Sequence, residues 1–378
     1  MCSRRSDYIG GLRISMNLEC LSYFTLFWEE GLRMATRIIA VSPDAVGQVL
    51  SEDVVSTCGV TLVAKGTVLN YYIIERLTAF DVVEVFCYLP SEENVPEPGL
   101  LAFRRDYYQC FAEIKDVITG LATEGKLRVA AIHKISDLLY STMQHSGSMV
   151  SSLQLLSSVD SYTYTHSLNT AMYSFLIGKW MGFSPQELKS LIQGGLLHDI
   201  GKARVPQELL NKQGSLTMEE FDIIKQHVPL GDQILEESGD WPLEVRDAVR
   251  FHHERVDGSG YPYQRRFAEV CCYARIVAVA DAFDAITSNR VYKRAGTPFD
   301  AFAVFQTSGL GTFDVSVVNI FLRNVAPYYV GSNVLLSSRE RGRIVYLPPH
   351  DVTSPVIALG DRVVDMSKVD LRILSILH

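Results

Sequence analysis

The sequence lacks the apolar run of about 18–20 residues that a membrane-spanning helix requires. Its nearest candidate, residues 14–28, is interrupted by Asn17 and Glu19. Arginines precede this run as they do in a signal peptide, but no small-residue cleavage site follows it. We therefore expect a cytoplasmic protein without a membrane span. Secretion is the alternative interpretation.

The sequence also lacks a cysteine framework and an excess of positive charge. Its seven cysteines are odd in number and contain no C-x-x-C pair, so neither a disulfide scaffold nor a zinc knuckle is indicated. The formal net charge is −8, which argues against a broad binding surface for duplex nucleic acid. A compact phosphate ligand remains compatible, because a metal and a few basic side chains can dominate the local field.

What is present is the composition of an ordinary globular protein, with 378 residues of which 47% are hydrophobic. This length is sufficient for two or three domains. Residues 34–89 alternate β-rich runs with one helical run and predict a small α+β regulatory module. Residues 90–99 are acidic and proline-rich, which is typical of a linker. We interpret residues 1–33 as an N-terminal extension that is either disordered or not native, with Met34 as the alternative start.

Residues 100–327 have almost wholly helical periodicity. Ser184 with Glu187, and Thr217 with Glu220, have the spacing of capping boxes that begin helices. Residues 328–378 return to short strands separated by turn residues and predict a small β-rich C-terminal module. The predicted fold class is therefore mainly α, with a small α+β module before the helices and a small β appendage after them.

The helical region carries a set of histidines and aspartates in apolar surroundings. A single histidine on an apolar face is usually a packed core residue. This is the alternative interpretation for each of these histidines when it is considered by itself. Buried ionisable groups are rare, however, unless they are paired or bound to a metal. Imidazole and carboxylate suit Fe, Mn and Zn, and seven groups exceed what one ion normally takes from a protein. The set, which predicts a two-metal hydrolytic site, is His166, His198, Asp199, His227, His252, His253 and Asp281.

Three motifs in this region resemble the HD-GYP family of bacterial phosphodiesterases, which linearise the second messenger cyclic di-GMP. They are HDIGK (198–202), HHERVDGSGYP (252–262) and DAFDAITSNRVYK (281–293). The resemblance also takes in residues 162–171 and 205–231, and so covers nearly all of the helical region. It implies the helical bundle of the HD metal-dependent phosphohydrolase superfamily.

The resemblance also implies how the metal ligands are divided. Tyr162 stands where some family members carry a glutamate that permits a third metal, so we expect two divalent transition-metal ions, with iron or manganese as the best candidates. Asp199 would bridge the two ions. The first would be bound by His166, His198, Asp199 and Asp281, and the second by His227, His252 and His253.

The expected mechanism follows from the charges. Two adjacent cations would hold a bridging water, lower its pKa to supply hydroxide, and stabilise negative charge on the phosphodiester oxygens. Asp199 and Lys202 are the catalytic candidates. Lys202 could also reach a substrate phosphate, and its alternative role is a solvated surface lysine.

Further substrate contacts are implied by the resemblance. Arg290 and Lys293 match positions that bind substrate phosphates, with a basic helix C-terminus as their alternative role. Tyr261 is expected at the rim of the site, in contact with substrate or a partner.

The expected activity is the hydrolysis of cyclic di-GMP to pGpG, and further cleavage to GMP stays open. One alternative is the same chemistry on another cyclic dinucleotide or nucleotide phosphate. Another is a non-catalytic cyclic di-GMP sensor or adaptor. The loop that contains Gly260, Tyr261 and Pro262 (the GYP loop) is a candidate contact for a diguanylate cyclase or another protein. A homodimer is a further open alternative.

Overall fold

The computed structural model describes residues 36–42, 45–56, 61–67, 69, 71–88, 98–145, 162–288 and 295–377. The chain divides into two compact units, Met1–Val95 and Pro96–His378. The predicted extension at residues 1–33 lies outside the described residues, as does the predicted linker except for its last two residues. The predicted domain boundaries stay predictions.

The first unit combines short antiparallel strand pairs with one helix, as the alternation of runs predicted. Its core includes the fully buried side chains of Leu50, Leu69 and Leu77. Strand β1 pairs with β4 and strand β2 with β3. The elements are β1 (Thr36–Ala40), β2 (Val54–Val55), β3 (Thr61–Val63), α1 (Tyr71–Ala79) and β4 (Glu84–Tyr88).

The second unit is mainly helical, which confirms the predicted class. A short 3-10 helix, Ile200–Arg204, follows α5. No helix in the described ranges is long and apolar enough to cross a membrane. The helices are α2 (Pro98–Glu124), α3 (Val129–His145), α4 (Tyr162–Trp180), α5 (Pro185–Leu197), α6 (Gln207–Leu210), α7 (Met218–Lys225), α8 (His227–Ser238), α9 (Leu243–Phe251), α10 (Cys272–Thr287), α11 (Pro298–Gln306) and α12 (Val315–Val325).

Side-chain caps determine where several of these helices begin. The Ser184 hydroxyl accepts a hydrogen bond from the Glu187 backbone amide, and the Glu187 carboxylate accepts one from the Ser184 amide. Thr217 and Glu220 form the same reciprocal pair at α7, so both predicted capping boxes are confirmed. A third box, Thr297 with Asp300, begins α11 and was not predicted.

Helix α4 is the central helix of the unit, packed against α5, α10 and α12. Residues 165–178 are buried without interruption, which is typical of a helix surrounded by others. Helix α5 approaches it closely at Gly195, where a Cβ would lie 2.5 Å from the Ala171 Cα. This close approach brings the C-terminal end of α5 beside the middle of α4. His198, the first residue of the HDIGK motif, follows that end of α5.

The chain ends in one five-stranded antiparallel sheet with the order β8-β7-β6-β5-β9. The predicted β-rich C-terminus is therefore confirmed. The last strand, which pairs with β5, was not among the runs that the sequence pattern identified. The strands are β5 (Asn333–Leu336), β6 (Arg341–Tyr346), β7 (Val356–Leu359), β8 (Arg362–Asp365) and β9 (Ile373–Leu377).

Candidate metal centre

The structure brings the seven predicted ligands together in the interior of the second unit. Helix α4 supplies His166, and α10, which packs against α4, supplies Asp281. His198 and Asp199 follow the last residue of α5, His227 is the first residue of α8, and His252 and His253 follow the last residue of α9. Three helix ends therefore carry five of the seven side chains, and α4 and α10 carry the other two.

Asp199 lies at the middle of this cluster and is 9% exposed. Its Oδ2 atom is 3.3 Å from His198 Nε2 and 3.7 Å from His166 Nε2. Its Oδ1 atom is 3.3 Å from His227 Nε2 and 4.0 Å from His252 Nε2. The two oxygens of one carboxylate thus face two different groups of histidines.

The cluster consequently separates into two donor groups that share Asp199. One contains His166 and His198, and the other contains His227, His252 and His253. Within each group the donor atoms lie within 4.8 Å of one another. Asp281 joins the first group, because its Oδ1 atom is 3.1 Å from His166 Nε2.

Three of the histidines are oriented by the backbone of the helix that precedes them. In His198, His227 and His252, Nδ1 donates to the backbone carbonyl three residues earlier, at 2.8, 2.7 and 2.9 Å. These hydrogen bonds place the proton on Nδ1 and leave the Nε2 lone pair available. All three Nε2 atoms are buried and have no hydrogen-bond partner in the described part of the chain, and the same is true of Asp199 Oδ1.

His166 is oriented by a carboxylate that the sequence analysis did not identify. Its Nδ1 lies 2.7 Å from Asp284 Oδ2, across 118 positions of sequence. The Asp284 Oδ1 atom accepts hydrogen bonds from Asn169 at 2.8 Å and from Ser288 at 2.9 Å. The Tyr107 hydroxyl in turn donates to Asn169 Oδ1 at 3.0 Å. The available signal was the D-x-x-D spacing with Asp281, which places both aspartates on one face of α10.

The charges of the site favour deprotonated carboxylates. Burial alone would raise the pKa of Asp199, but the Lys202 ammonium and the His198 ring hold it well below its usual range. Asp281 is partly buried, and although desolvation would raise its pKa, the hydrogen bond with His166 keeps that pKa far below the ordinary aspartate value. Both groups are therefore available as anionic ligands.

Four of the histidines divide into two electrostatic classes. Burial lowers the pKa of His253 to about 3 and lowers the pKa of His227 and His252 as well. For His166, burial acts in the same direction, but hydrogen bonds with Asp281 and Asp284 outweigh it and raise the pKa to about 9. A cation between Asp281 and Asp199 could take the place of the His166 Nε2 proton.

The donor set fits divalent metals. Two ligand atoms that each lie about 2.1 Å from one ion are about 3.0–3.4 Å apart at tetrahedral or octahedral angles. Asp199 and Asp281 meet this range with three different histidines, at 3.3, 3.3 and 3.1 Å. Unpartnered, buried imidazole nitrogens without a metal would be costly.

The structure describes one of the three predicted basic residues of the site. Lys202 lies in the 3-10 helix, and its Nζ is 2.5 Å from Asp199 Oδ2, so it contacts the cluster directly. Arg290 and Lys293 lie outside the described residues. The side chain of Tyr162, on which the exclusion of a third metal depended, is also outside the described part.

The GYP loop is held against the cluster by a buried carboxylate. Glu254, 5% exposed, accepts hydrogen bonds from the backbone amides of Tyr263 and Arg265 at 2.7 and 2.9 Å. Gly260 packs so closely that a Cβ would lie 2.4 Å from Glu254 Cα and 2.6 Å from the His253 carbonyl oxygen. Tyr261 consequently stacks on the His253 ring, with centroids 4.5 Å apart. Burial raises the pKa of the Tyr261 hydroxyl, which leaves it a hydrogen-bond donor.

The helical region of the chain resembles known proteins. Residues 135–317 match the family model described as HD domain. The cyclic di-GMP phosphodiesterase PA4108 of Pseudomonas aeruginosa is 33% identical over 211 residues, which cover 56% of this chain and 50% of that protein. The 3'3'-cGAMP-specific phosphodiesterase 1 of Vibrio cholerae is 32% identical over 169 residues, 44% of this chain and 39% of that protein. The chain spans about half or less of the length of the curated relatives it matches.

A solved structure supports the fold. The chain resembles Bd1817, an HDG"Y"P protein from Bdellovibrio bacteriovorus, with a TM-score of 0.52 and 16% identity. The match covers 76% of this chain and 98% of that chain. The predicted HD-type helical fold is thereby confirmed.

Proposed function

Because residues 135–317 of this chain match the HD domain family model, we propose that the protein is a metal-dependent phosphodiesterase that hydrolyses cyclic di-GMP to the linear dinucleotide pGpG. The observation that carries the proposal is the division of the Asp199 carboxylate between two groups of histidines. A bridging carboxylate with separate nitrogen donors on each side is the ligand arrangement of a two-metal site. Relatives whose names describe cyclic dinucleotide phosphodiesterases support the substrate class.

The residues of the chain have separate roles in this proposal. His166, His198, Asp199 and Asp281 would hold one ion, and His227, His252 and His253, with Asp199, the other. When bound, two divalent ions supply a hydroxide nucleophile from water and stabilise negative charge on phosphodiester oxygens. Iron and manganese are the proposed ions, because both accept mixed imidazole and carboxylate ligands.

Lys202 and Tyr261 are the proposed polar contacts for the substrate. Lys202 adds a positive charge beside the shared carboxylate, where the phosphodiester would approach. The protonated Tyr261 hydroxyl can donate to a phosphate or ribose oxygen at the rim. Arg290 and Lys293 remain proposed phosphate contacts on the basis of sequence.

A direct assay tests the activity. Protein purified without oxygen and loaded with iron or manganese is incubated with cyclic di-GMP, cyclic GMP-AMP and cyclic di-AMP, and the products are resolved by chromatography. We expect pGpG from cyclic di-GMP at a rate above that for the other two. Preferential cleavage of cyclic GMP-AMP would favour the second candidate function, for which the similarity to the Vibrio cholerae relative is the observation.

The same assay distinguishes catalysis from sensing. A sensor or adaptor would bind cyclic di-GMP and release it unchanged. The absence of a linear product from every cyclic dinucleotide, with metal-loaded and folded protein, would therefore contradict the proposed activity.

The proposed phosphate contacts of Arg290 and Lys293 can be tested in the same assay. Replacing Arg290 or Lys293 by alanine should raise KM several-fold and leave metal content unchanged, because uniform binding contacts act on KM rather than kcat. Loss of metal in either variant would indicate a structural role instead.

A further inference from the structure

Helix α7 presents apolar side chains to solvent beside the metal centre. Met218, Phe221 and Ile223 are 75%, 39% and 43% exposed. Phenylalanine is usually buried, so an exposed ring next to a functional site suggests a ligand that covers it. Among these three side chains, Phe221 is the one with ring contacts that lead into the site.

The contacts of Phe221 connect it to the metal ligands through one aromatic ring. Its ring centroid is 6.0 Å from that of Tyr261, with the planes at 76°. Tyr261 stacks on His253 with centroids 4.5 Å apart and planes at 27°. Phe221 is therefore two ring contacts from a proposed ligand, close enough for a substrate held at the cluster to reach it.

The charge around Phe221 suits a nucleotide. The Lys225 ammonium lies over one face of the Phe221 ring, 4.7 Å from its centre, and 5.8 Å from the centre of the Tyr261 ring, which leaves the other Phe221 face for a ligand. Lys225 also pairs with Asp222 at 2.7 Å, but the Asp222 side chain is 65% exposed and well solvated. A flat apolar surface with a cation beside it complements a purine base attached to a phosphodiester.

We propose that Phe221 stacks on one purine base of the cyclic dinucleotide whose phosphodiester lies at the metal cluster. The inference rests on the proposed function, because it assigns the position of one base of that substrate. A cyclic dinucleotide carries two bases on one ring, and only one phosphodiester can lie at the cluster at a time. The exposed Phe221 surface is a place for a base that the metals do not contact, and Lys225 supplies positive charge beside it.

Steady-state kinetics with matched variants of the full-length, metal-loaded protein test this assignment. Phe221→Ala should raise KM for cyclic di-GMP about 5- to 150-fold, the range expected for loss of one base–aromatic stack. Phe221→Trp should keep KM within about threefold of the parent value, because it retains a stacking surface. Ile223→Ala, at an equally exposed position of the same helix, is the control and should not raise KM.

A substrate without a nucleobase separates base stacking from a structural role of the ring. With p-nitrophenyl methyl phosphate as the substrate, Phe221→Ala should lower kcat/KM by a factor at least about fivefold smaller than the factor seen with cyclic di-GMP. Equal losses with both substrates, or an equal effect of Ile223→Ala, would overturn the inference. So would an unchanged KM for cyclic di-GMP in Phe221→Ala.

Binding of a slowly cleaved phosphorothioate analogue of cyclic di-GMP, measured by calorimetry, keeps the two proposals distinguishable. If the parent protein binds the analogue and Phe221→Ala binds it at least fivefold more weakly, the stacking assignment holds even when no hydrolysis is detected. Hydrolysis by the parent together with identical binding by parent and Phe221→Ala would instead reject the stacking assignment alone. A parent that neither binds the analogue nor cleaves cyclic di-GMP would reject both.

Discussion

At the scale of single residues, both halves of the metal centre depend on Asp199. Its two oxygens face separate histidine groups, at 3.3 Å from His198 and 3.3 Å from His227. Replacing Asp199 by alanine should therefore weaken both sites at once. We expect metal affinity to fall by more than the roughly 10- to 100-fold that follows loss of a ligand's hydrogen-bonding neighbour, and turnover to be lost. Elemental analysis of the purified variant measures the metal content.

The control for this substitution is Asp240→Ala, which changes an exposed aspartate of the same unit. It should retain the parent metal content and activity. The two-metal interpretation would be wrong if the parent protein cleaved its substrate at full rate with no bound transition metal.

Asp284 gives a second prediction at this scale, because it orients His166 without reaching the proposed ions. Asp284→Asn has nearly the same shape, but an amide nitrogen in place of Oδ2 would oppose the His166 Nδ1 proton, which lies 2.7 Å from that oxygen. The ring would then favour a proton on Nε2, which blocks metal binding. Metal affinity, measured by competition with a chelator, should fall roughly 10- to 100-fold.

Ser288→Ala is the matched control for Asp284→Asn. It removes one hydrogen bond to Asp284 Oδ1 and leaves the contact with His166 in place, so metal affinity should change less. Parent-like affinity in Asp284→Asn would show that the carboxylate is not needed to orient the histidine.

The residues of the centre differ in how well they could be predicted. Adjacent pairs such as His198-Asp199 and His252-His253 are visible as local strings, and the family resemblance assigned each of the seven ligands. Asp284 was not found, because its role depends on a contact with His166 that spans 118 positions. The D-x-x-D string places Asp284 on the same helix face as Asp281, but it does not identify His166 as the partner until the packing of α4 against α10 is known.

At the scale of elements, the GYP loop depends on the absence of a side chain at Gly260. A Cβ there would lie 2.4 Å from Glu254 Cα and 2.4 Å from the Arg255 amide nitrogen. Both are backbone atoms, so Gly260→Ala must displace the loop and with it the adjoining His253. We expect a loss of about 1–3 kcal/mol in the free energy of unfolding, measured by urea denaturation, together with lower metal affinity.

Gly311→Ala provides the comparison, since a Cβ at Gly311 meets no atom within 4 Å. Its unfolding free energy should stay within about 0.5 kcal/mol of the parent value. Equal stability of the two variants would mean that the close approach at Gly260 does not constrain the loop.

Elements with strong local signals were the ones that the sequence predicted best. The capping boxes at Ser184 and Thr217 were found because their residues lie three positions apart and bond to each other. Strand β9 (Ile373–Leu377) was not found, because a short apolar run does not distinguish a strand from a helix. Its pairing with β5 is a long-range contact that no local pattern specifies.

At the scale of the whole molecule, the proposed metal ligands all belong to one of the two compact units. The seven residues fall between His166 and Asp281, inside the unit Pro96–His378. The helices that orient them, from α4 to α10, belong to the same unit. The first unit therefore contributes no proposed ligand and no proposed catalytic group.

A fragment consisting of residues 96–378 tests this separation. Because it keeps every helix that holds a proposed ligand, it should fold, bind the same number of metal ions as the full chain, and cleave cyclic di-GMP at a measurable rate. The rate itself can change, since a regulatory unit can shift the populations of a catalytic one. Circular dichroism, elemental analysis and product chromatography on the fragment and the full chain provide the comparison. A folded, metal-loaded fragment without activity, beside an active full chain, would mean that a residue before 96 completes the site.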